Sequence, residues 1–522
     1  MYKKTLRLLL SRVALVLGLL GSVGCVTAMD TLLDEYHHLE GELCDPLGGV
    51  PRESIDDVFV EPPVVEGQPR PTGTVVLEDG GSAIAARGWL TEMAERTIDI
   101  QYFIFSSDKV GLIAADFMLR AAQRGVKVRL IVDDLLVDGD AEFLAALDAH
   151  PNITIRVYNP NINIGKSLPG RFYSAITDFR GVNQRMHNKT FIVDGRVVIT
   201  GGRNVADEYY DYNEEYNFRD RDVLLVGGVV EKVQASFEEY WDHPLVVSIK
   251  PLASETVPGR VEAAWEGLHR YACDDEIYWP QARKQLGAFP TLYRNWEEFG
   301  GIRWLDDVDF VWDTPGKNTS KGMWGGGKTT TALMDLIKGA KKSVVIQTPY
   351  LVTSELGQGL FASAIKRGVS VTILTNSLGA TDNLMAFNGY RRNRDDLLRM
   401  GVKLYEFRPD AAIRRSIMTS SLAQEVETFP VFGLHAKTLV VDDDVVVVTT
   451  FNLDPRSANL NTECMTVIRS KKVAGEVLNE IGEELKPENA WRTTLHWDPD
   501  ARASWYKRFM LLWFGILPKS IL

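Results

Sequence analysis

Two octapeptides carry residue types suited to phosphate chemistry. HNKTFIVD covers His187–Asp194, and HAKTLVVD covers His435–Asp442, so the two histidines lie 248 residues apart. Each copy has a histidine, a lysine two residues later and an aspartate after an apolar run. Side chains alternate faces along a strand, so the histidine and the lysine of each copy point to the same side. Two matching copies predict a shared function, whereas a lone copy would suit an ordinary core strand.

An imidazole beside an ammonium group suits an anionic oxygen substrate. The lysine is a compact cation, and the histidine can attack phosphorus or transfer a proton because its pKa lies near neutral pH. Each copy runs on to an asparagine, Asn204 or Asn452, which can donate to phosphate. Two such sets predict phosphodiester exchange by covalent catalysis, without a metal or another cofactor.

Histidines that transfer protons are commonly oriented by a carboxylate. The candidates for this role are Asp222, 35 residues after His187, and Glu463, 28 residues after His435.

The elements that must position these residues are duplicated as well. The run from IDIQYFIF to VKVRLIVDD is repeated from SVVIQTPYLV to VSVTILTNSL, with Gln101 matching Gln347 and Arg124 matching Arg367. In both runs a helical pattern lies between two strands, which predicts an α/β fold with a helix-covered parallel sheet.

The duplication divides the chain into six predicted segments. They are an export signal or membrane anchor at 1–28, an extended segment at 29–80, a first half at 81–250, a connector at 251–330, a second half at 331–470 and a C-terminal segment at 471–522. The tail from Trp505 to Leu522 is rich in aromatic and leucine residues, which fits a membrane-surface helix or a helix docked on the protein's own core.

Composition limits the classes of partner. The 522 residues carry a net charge of −12 and are 45% hydrophobic, which predicts a folded chain and argues against nucleic-acid binding. The four cysteines are scattered without a C-x-x-C pair, which argues against a zinc site or a disulfide framework.

The N-terminus resembles an export signal, with basic residues before an apolar run at 13–20. Three outcomes stay open: lipidation of Cys25, cleavage after Ala28, or an uncleaved anchor. All three predict a location at the cell membrane or envelope, on the exported side.

Both octapeptides, with their asparagines, resemble the motif of the phospholipase D superfamily. The stretches RMHNKTFIVDG, AIKRGVSVTILTNSL, GYRRNRDDLLRMGVKLYE and FNLDPRSANLNTE also resemble bacterial cardiolipin synthases, most of all the cardiolipin synthase C group. The resemblance implies two phospholipase D-like α/β/α sandwich halves packed around one shared active site. It also implies transfer of a phosphatidyl group to phosphatidylglycerol at a membrane surface, with phosphatidylethanolamine as a further candidate lipid.

The resemblance assigns roles to the motif residues. His187 is the expected nucleophile, which forms a phosphohistidine, and His435 is the expected general acid and base. The remaining motif residues implied for the site are Lys189, Asp194, Lys437 and Asp442, and the two aspartates are expected to support the strand–turn geometry.

Two departures from the family pattern bear on specificity. Thr449-Thr450 replaces a Gly-Ser pair and is expected to crowd one wall, and Phe387 stands where a histidine is usual. Three rival functions remain at this point. They are a hydrolytic phospholipase D that releases phosphatidic acid, a nucleic-acid phosphodiesterase, and a non-catalytic lipid-binding scaffold.

Overall fold

The structure, a computed structural model, describes residues 28–36, 54–134, 141–160, 183–253, 257–274, 302–317, 325–418 and 429–514. The predicted signal segment up to residue 27, including Cys25, lies outside these ranges, as do the last eight residues of the tail.

The strands of the described ranges fall into two large sheets and one small one. In chain order they are β1 (Thr72–Leu77), β2 (Thr97–Tyr102), β3 (Lys127–Asp133), β4 (Ile153–Tyr158), β5 (Thr190–Val193), β6 (Val197–Gly201), β7 (Tyr216–Arg219), β8 (Asp222–Gly227), β9 (Val246–Ser248), β10 (Arg303–Leu305), β11 (Val308–Trp312), β12 (Ser343–Gln347), β13 (Ser370–Asn376), β14 (Lys403–Phe407), β15 (Val431–Leu434), β16 (Thr438–Val441), β17 (Val445–Thr449), β18 (Cys464–Arg469) and β19 (Ala490–Arg492).

The two large sheets have the same internal order, which confirms the predicted duplication. Within the described residues the first sheet runs β10-β1-β8-β6-β5-β2-β3-β4-β9, and the second runs β11-β18-β17-β16-β12-β13-β14-β19. The parallel trio β2-β3-β4 corresponds to β12-β13-β14, and the antiparallel trio β5-β6-β8 corresponds to β16-β17-β18. The octapeptide strands β5 and β16 are central and rich in β-branched residues, as fully buried strands require.

Helices cover the sheets. The α-helices of the described ranges are Ala28–Thr31, Ile55–Val58, Gly80–Met93, Lys109–Gln123, Ala141–Asp148, Val230–Trp241, Pro258–Cys273, Lys328–Gly339, Glu355–Lys366, Leu384–Met400, Arg414–Met418, Pro455–Asn459, Lys471–Glu484 and Trp505–Phe514. Several begin at a side-chain cap, such as Asp108, whose carboxylate accepts from the Gly111 N–H.

A shared core joins the two halves. It combines Val198 and Leu225 of the first sheet with Val446 and Ile468 of the second, together with residues of helices Val230–Trp241 and Lys471–Glu484. The small parallel sheet of β7 and β15 also takes one strand from each half. The halves therefore meet through a continuous apolar interface, with separate outer cores behind each sheet.

The sheets extend beyond the predicted half boundaries. β1 lies within the segment expected to be an extended lead-in, yet it pairs with β8 along its whole length. The described part of the connector supplies an edge strand to each sheet, β10 to the first and β11 to the second. Both additions pair edge strands that the repeated unit alone would leave open.

None of the helices in the described ranges combines the length and apolar character of a membrane-crossing segment.

Candidate functional site

The two octapeptides meet at the junction of the halves. Each histidine lies just before its strand, His187 before β5 and His435 before β16. The backbone N–H of His187 donates to the Thr462 carbonyl at 2.9 Å, and that of His435 donates to the Arg219 carbonyl at 2.8 Å. Both acceptors belong to the opposite half, so the interface itself fixes where the two imidazoles stand.

The side chains are paired across the same junction. Nδ1 of His187 lies 2.8 Å from Oε2 of Glu463, and Nδ1 of His435 lies 2.6 Å from Oδ2 of Asp220. Both carboxylates are fully buried, and the histidines are about as deeply buried, with exposures of 6% and 5%. Each half therefore supplies one histidine and the carboxylate that orients the other half's histidine.

The carboxylates fix the tautomer of each ring. Burial alone would raise the pKa of Asp220 and of Glu463, but the contact with the adjacent histidine and the charge of a neighbouring lysine hold both pKa values below their usual range. An ionised carboxylate can only accept, so Nδ1 of each histidine carries the proton. The lone pair of a neutral ring is then at Nε2, the atom on the opposite side of the ring from the carboxylate.

Both histidines are neutral at neutral pH. Burial lowers the pKa of His187 to about 4, and the charges of Lys189 and Lys437 contribute to the lowering. Burial likewise lowers the pKa of His435 to about 3, again with contributions from both lysines. Each histidine thus senses the lysine of the other half, which places all four groups in one electrostatic site.

The lysines are buried cations that repel each other. Burial lowers the pKa of Lys189 to about 7, with Lys437 as the next cause, and burial lowers that of Lys437 to about 8. Each ammonium donates to the carbonyl of its own motif histidine, at 2.9 Å for Lys189 and 2.7 Å for Lys437. An anion between them would relieve this repulsion, so the site is electrostatically suited to a phosphate.

The two motif asparagines are buried at the ends of the strands that follow, but their contacts differ. Asn204 accepts from the Ile104 N–H through its side-chain oxygen. The side-chain oxygen of Asn452 has no hydrogen-bond partner among the described residues, although it is buried. A buried amide without a partner is costly unless a ligand or water completes it.

Aromatic rings enclose the imidazoles. Phe103 meets the His187 ring edge to face at 5.1 Å between centroids. Tyr209 and Phe218 pack against the His435 ring at 5.0 and 4.7 Å. These walls account for much of the burial that keeps both histidines neutral.

One of the two predicted acids, Asp222, does not orient a histidine. Asp222 contacts neither ring: its carboxylate accepts from Arg87 at 2.8 Å and from the Arg203 N–H at 3.2 Å. It sits inside β8, paired with Gly201, whereas Asp220 precedes the strand and reaches His435. The repeat contained the missing signal, because Asp220 and Glu463 are 243 residues apart, the same offset as Arg124 and Arg367.

The motif aspartates Asp194 and Asp442 cap a turn remote from the histidines. Asp194 accepts from the N–H groups of Glu95, Arg96 and Thr97, and Asp442 accepts from those of residues 341–343. Both have positive φ, 53° and 55°. They lie at the far end of β5 and β16 from the histidines, about 20 Å along an extended chain, which fits the expected structural role.

The two threonines break the symmetry of the site. The Thr450 hydroxyl donates to Oε2 of Glu463 at 2.5 Å, and the Thr449 hydroxyl donates to the Cys464 carbonyl. Thr450 therefore supports the carboxylate behind His187 directly, and the crowding of one wall stays a prediction. The matching position in the first half is Gly202, where an added Cβ would lie 2.1 Å from Asp220. Asp220 therefore needs the glycine, whereas the longer Glu463 leaves room for a hydroxyl.

A third buried histidine shows what distinguishes the pair. His269 contacts Asp116 through Nδ1 at 2.5 Å, but its Nε2 is taken by Gln123 at 3.0 Å. In contrast, no described residue bonds to Nε2 of His187, and Nε2 of His435 lies 3.2 Å from Nζ of Lys437, a residue of the site itself. The octapeptide histidines also lie beside lysines, so they combine a nucleophilic nitrogen, a proton carrier and positive charge in one site.

Each half of the chain matches a known protein family. The family described as "Cardiolipin synthase, PLD-like domain" matches residues 90–241 and 333–485, one match in each half. Cardiolipin synthase C of Escherichia coli is 34% identical over 456 residues, which cover 85% of this chain and 91% of that protein. An uncharacterized Helicobacter pylori protein is 32% identical over 415 residues, 78% of each chain.

A solved structure supports the fold. Phosphatidylserine synthase of Haemophilus influenzae superposes with a TM-score of 0.58 at 15% identity, covering 86% of this chain and 95% of that one. The paired octapeptides, the duplicated sheets and the similarity over most of the length converge. The chain belongs to the cardiolipin synthase family of phospholipase D-like proteins.

Proposed function

We propose that the chain is a phosphatidyltransferase that forms cardiolipin from phosphatidylglycerol and a phospholipid donor, through a phosphohistidine. The observation that carries the proposal is the pair of histidine–carboxylate contacts that cross between the halves. Two oriented imidazoles beside two buried lysines match a reaction that needs a nucleophile, a proton carrier and stabilisation of phosphate charge.

The first displacement begins at His187. Its Nε2 attacks the donor phosphorus, the bond to the leaving alcohol breaks, and protonated His435 gives its proton to the departing oxygen. The phosphate charge supports that protonation, because an anion beside His435 raises the pKa that the two lysines depress. The nucleophile needs no prior deprotonation, since His187 is neutral above a pKa of about 4.

The second displacement reverses these roles. The acceptor hydroxyl transfers its proton to Nε2 of His435, its oxygen attacks phosphorus, and the bond from phosphorus to His187 breaks. The product is a new phosphodiester, and both histidines return to their starting states. Lys189 and Lys437 stabilise the added negative charge in both transition states.

We further propose that the protein works at a membrane on the exported side of the cell, where its lipid substrates are found. Cys273 is disulfide-bonded, which supports an oxidising compartment and differs from the expectation drawn from cysteine spacing.

A vesicle assay tests the reaction. The intact protein, His187→Ala and His435→Ala would be incubated with phosphatidylglycerol vesicles, with and without phosphatidylethanolamine. Cardiolipin and phosphatidic acid would be quantified separately. We expect cardiolipin from the intact protein and none above background from either variant, whereas phosphatidic acid alone would assign a hydrolase instead.

The two histidine roles can be separated with a matched control. The labelled donor lipid for this test has a leaving group that needs no proton. Rapid quenching should then trap an acid-labile adduct on His435→Ala and never on His187→Ala. His269→Asn changes an equally buried, carboxylate-paired histidine outside the site and should keep its activity. An adduct on His187→Ala would contradict the assignment of the nucleophile.

A further inference from the structure

One short part of the chain carries the exposed aromatic surface. Among the described residues, the exposed aromatic side chains are Trp497 (42% exposed), Trp505 (73%), Tyr506 (55%) and Phe509 (50%). All four lie within thirteen residues of one another. Aromatic rings scattered singly over a surface need no explanation, but a cluster of tryptophan, tyrosine and phenylalanine does.

Helix Trp505–Phe514 is docked with its apolar rings outward. Leu511 is buried in the outer core of the second half, and Lys507 is partly buried against the protein. Trp505, Tyr506 and Phe509 occupy the opposite face, since positions three and four apart share a side of a helix. The face that meets solvent is therefore more aromatic than an exposed helix normally presents.

The helix is attached to the loop that carries Asp382. The Lys507 ammonium donates to the carbonyls of Gly379 and Thr381, both at 2.8 Å. The next residue, Asp382, accepts from the Tyr350 hydroxyl at 2.6 Å, and its charge raises the pKa of Lys437. These contacts link the helix to the loop that contains Asp382, and the charge of Asp382 acts on the lysine of the second octapeptide.

The chemistry of the face points to one kind of partner. Tryptophan and tyrosine are favoured at the boundary between lipid headgroups and acyl chains. Arg508 is exposed on the same helix and complements anionic headgroup phosphates. In the sequence, the chain runs on from Phe514 as GILPKSIL, which has the same apolar and basic character.

We propose that Trp505, Tyr506, Phe509 and Arg508, which we call the aromatic face, form the surface by which the protein docks on an anionic phospholipid bilayer. Docking there places the loop that contains Asp382 against the headgroups, so that lipid phosphates reach the proposed active site without leaving the membrane. The inference rests on the proposed function for the identity of the substrate, but the docking itself is measurable without it.

A site-specific probe tests docking even if another segment also holds the protein at the membrane. Phe509→Cys in the full chain would be labelled with an environment-sensitive fluorophore, and Val64→Cys, at an exposed apolar residue of the segment before the first half, would be the matched control. With phosphatidylglycerol vesicles containing acyl-chain quenchers, we expect a blue shift and quenching at position 509 and neither at position 64. Equal responses at the two positions, or none at 509, would overturn the proposal.

An activity comparison separates docking from chemistry. Trp505→Glu combined with Phe509→Glu should lower turnover of vesicle lipid about tenfold and leave turnover of a dispersed short-chain phosphatidylglycerol unchanged. An equal loss on both substrates would overturn the docking role. If the intact protein turns over neither lipid, the proposed function fails, while the quenching at position 509 still decides the docking surface.

Discussion

At the scale of single residues, each carboxylate acts through the histidine of the other half. Replacing Glu463 by Gln keeps the shape but presents either a neutral acceptor or a donor to Nδ1 of His187. The wrong tautomer would then place a proton on Nε2, so we expect the turnover number to fall by about 10²- to 10⁴-fold. Asp220→Asn should have a similar effect through His435, measured on phosphatidylglycerol vesicles.

The control for this prediction is Asp116→Asn. Asp116 holds His269 in the same way but lies outside the site, so its loss should affect stability and leave turnover at low temperature unchanged. Activity of Glu463→Gln close to that of the intact protein would show that the carboxylate only fills space.

Thr450 supports only one of the two carboxylates. Its hydroxyl stabilises the charge of Glu463, and removing it in Thr450→Val makes that carboxylate a stronger base toward His187. A more basic partner raises the pKa of His187. The acid limb of the kcat/KM profile, expected near pH 4, should therefore shift to higher pH. The pH profile of hydrolysis or transfer measures this shift.

Thr450→Ser is the matched control, because it restores the hydroxyl and should restore the original limb. A profile that stays fixed in Thr450→Val while the protein loses stability would assign the hydroxyl to packing alone. The cost to folding is expected to be about 1–3 kcal/mol, that of a lost hydrogen bond to a buried charged group.

At the scale of elements, each motif aspartate links the end of its own strand, β5 or β16, to the turn before the neighbouring strand, β2 or β12. Asp442→Asn replaces a carboxylate that accepts from three successive backbone N–H groups, which should lower stability by about 1–3 kcal/mol. Because the turn is remote from the histidines, turnover should be unchanged well below the unfolding temperature. Thermal melts and low-temperature assays check the two parts separately.

Asp443→Asn provides the comparison, since Asp443 has the same left-handed backbone but its side chain contacts Ser343 weakly, at 3.4 Å. It should melt close to the intact protein. A large loss of turnover in Asp442→Asn at low temperature would contradict the structural role.

The elements also explain how far the sequence could predict the site. Repeated strand and helix patterns were enough to predict the duplicated α/β halves, because local periodicity reports directly on each element. The choice of Asp222 was wrong because the residue that faces His435 depends on where β8 begins, and Asp220 lies just outside it. Strand ends are set by tertiary contacts, such as Arg87 holding Asp222, which periodicity does not report.

The contacts between halves were the other part that could not be predicted. The approach of Glu463 to His187 requires the two sheets to be packed through Val198, Val446 and their neighbours, over hundreds of residues of chain. The motif histidines could be identified without that packing. The bond from Thr450 to Glu463 can be linked to His187 only when the two halves are packed together.

At the scale of the whole molecule, bringing the halves together concentrates positive charge in one buried place. The pKa values of about 7 for Lys189 and about 8 for Lys437 mean that at pH 8 the first is mostly neutral and the second about half protonated. An anion in the site favours the charged forms and raises both pKa values, so binding must take up protons from solution. Orthovanadate, a phosphate analogue, should therefore bind at pH 8 with a net uptake of protons.

Calorimetry in buffers of different ionisation enthalpy measures this uptake, because protons taken from the buffer change the observed heat. Lys189→Arg with Lys437→Arg is the matched control, since guanidinium groups stay protonated at pH 8 and should abolish the lysine contribution. Heats for the intact protein that do not depend on the buffer would contradict the depressed lysine pKa values. A buffer-dependent heat that persists in the double variant would assign the proton exchange to groups other than the two lysines, either the histidines or the vanadate itself.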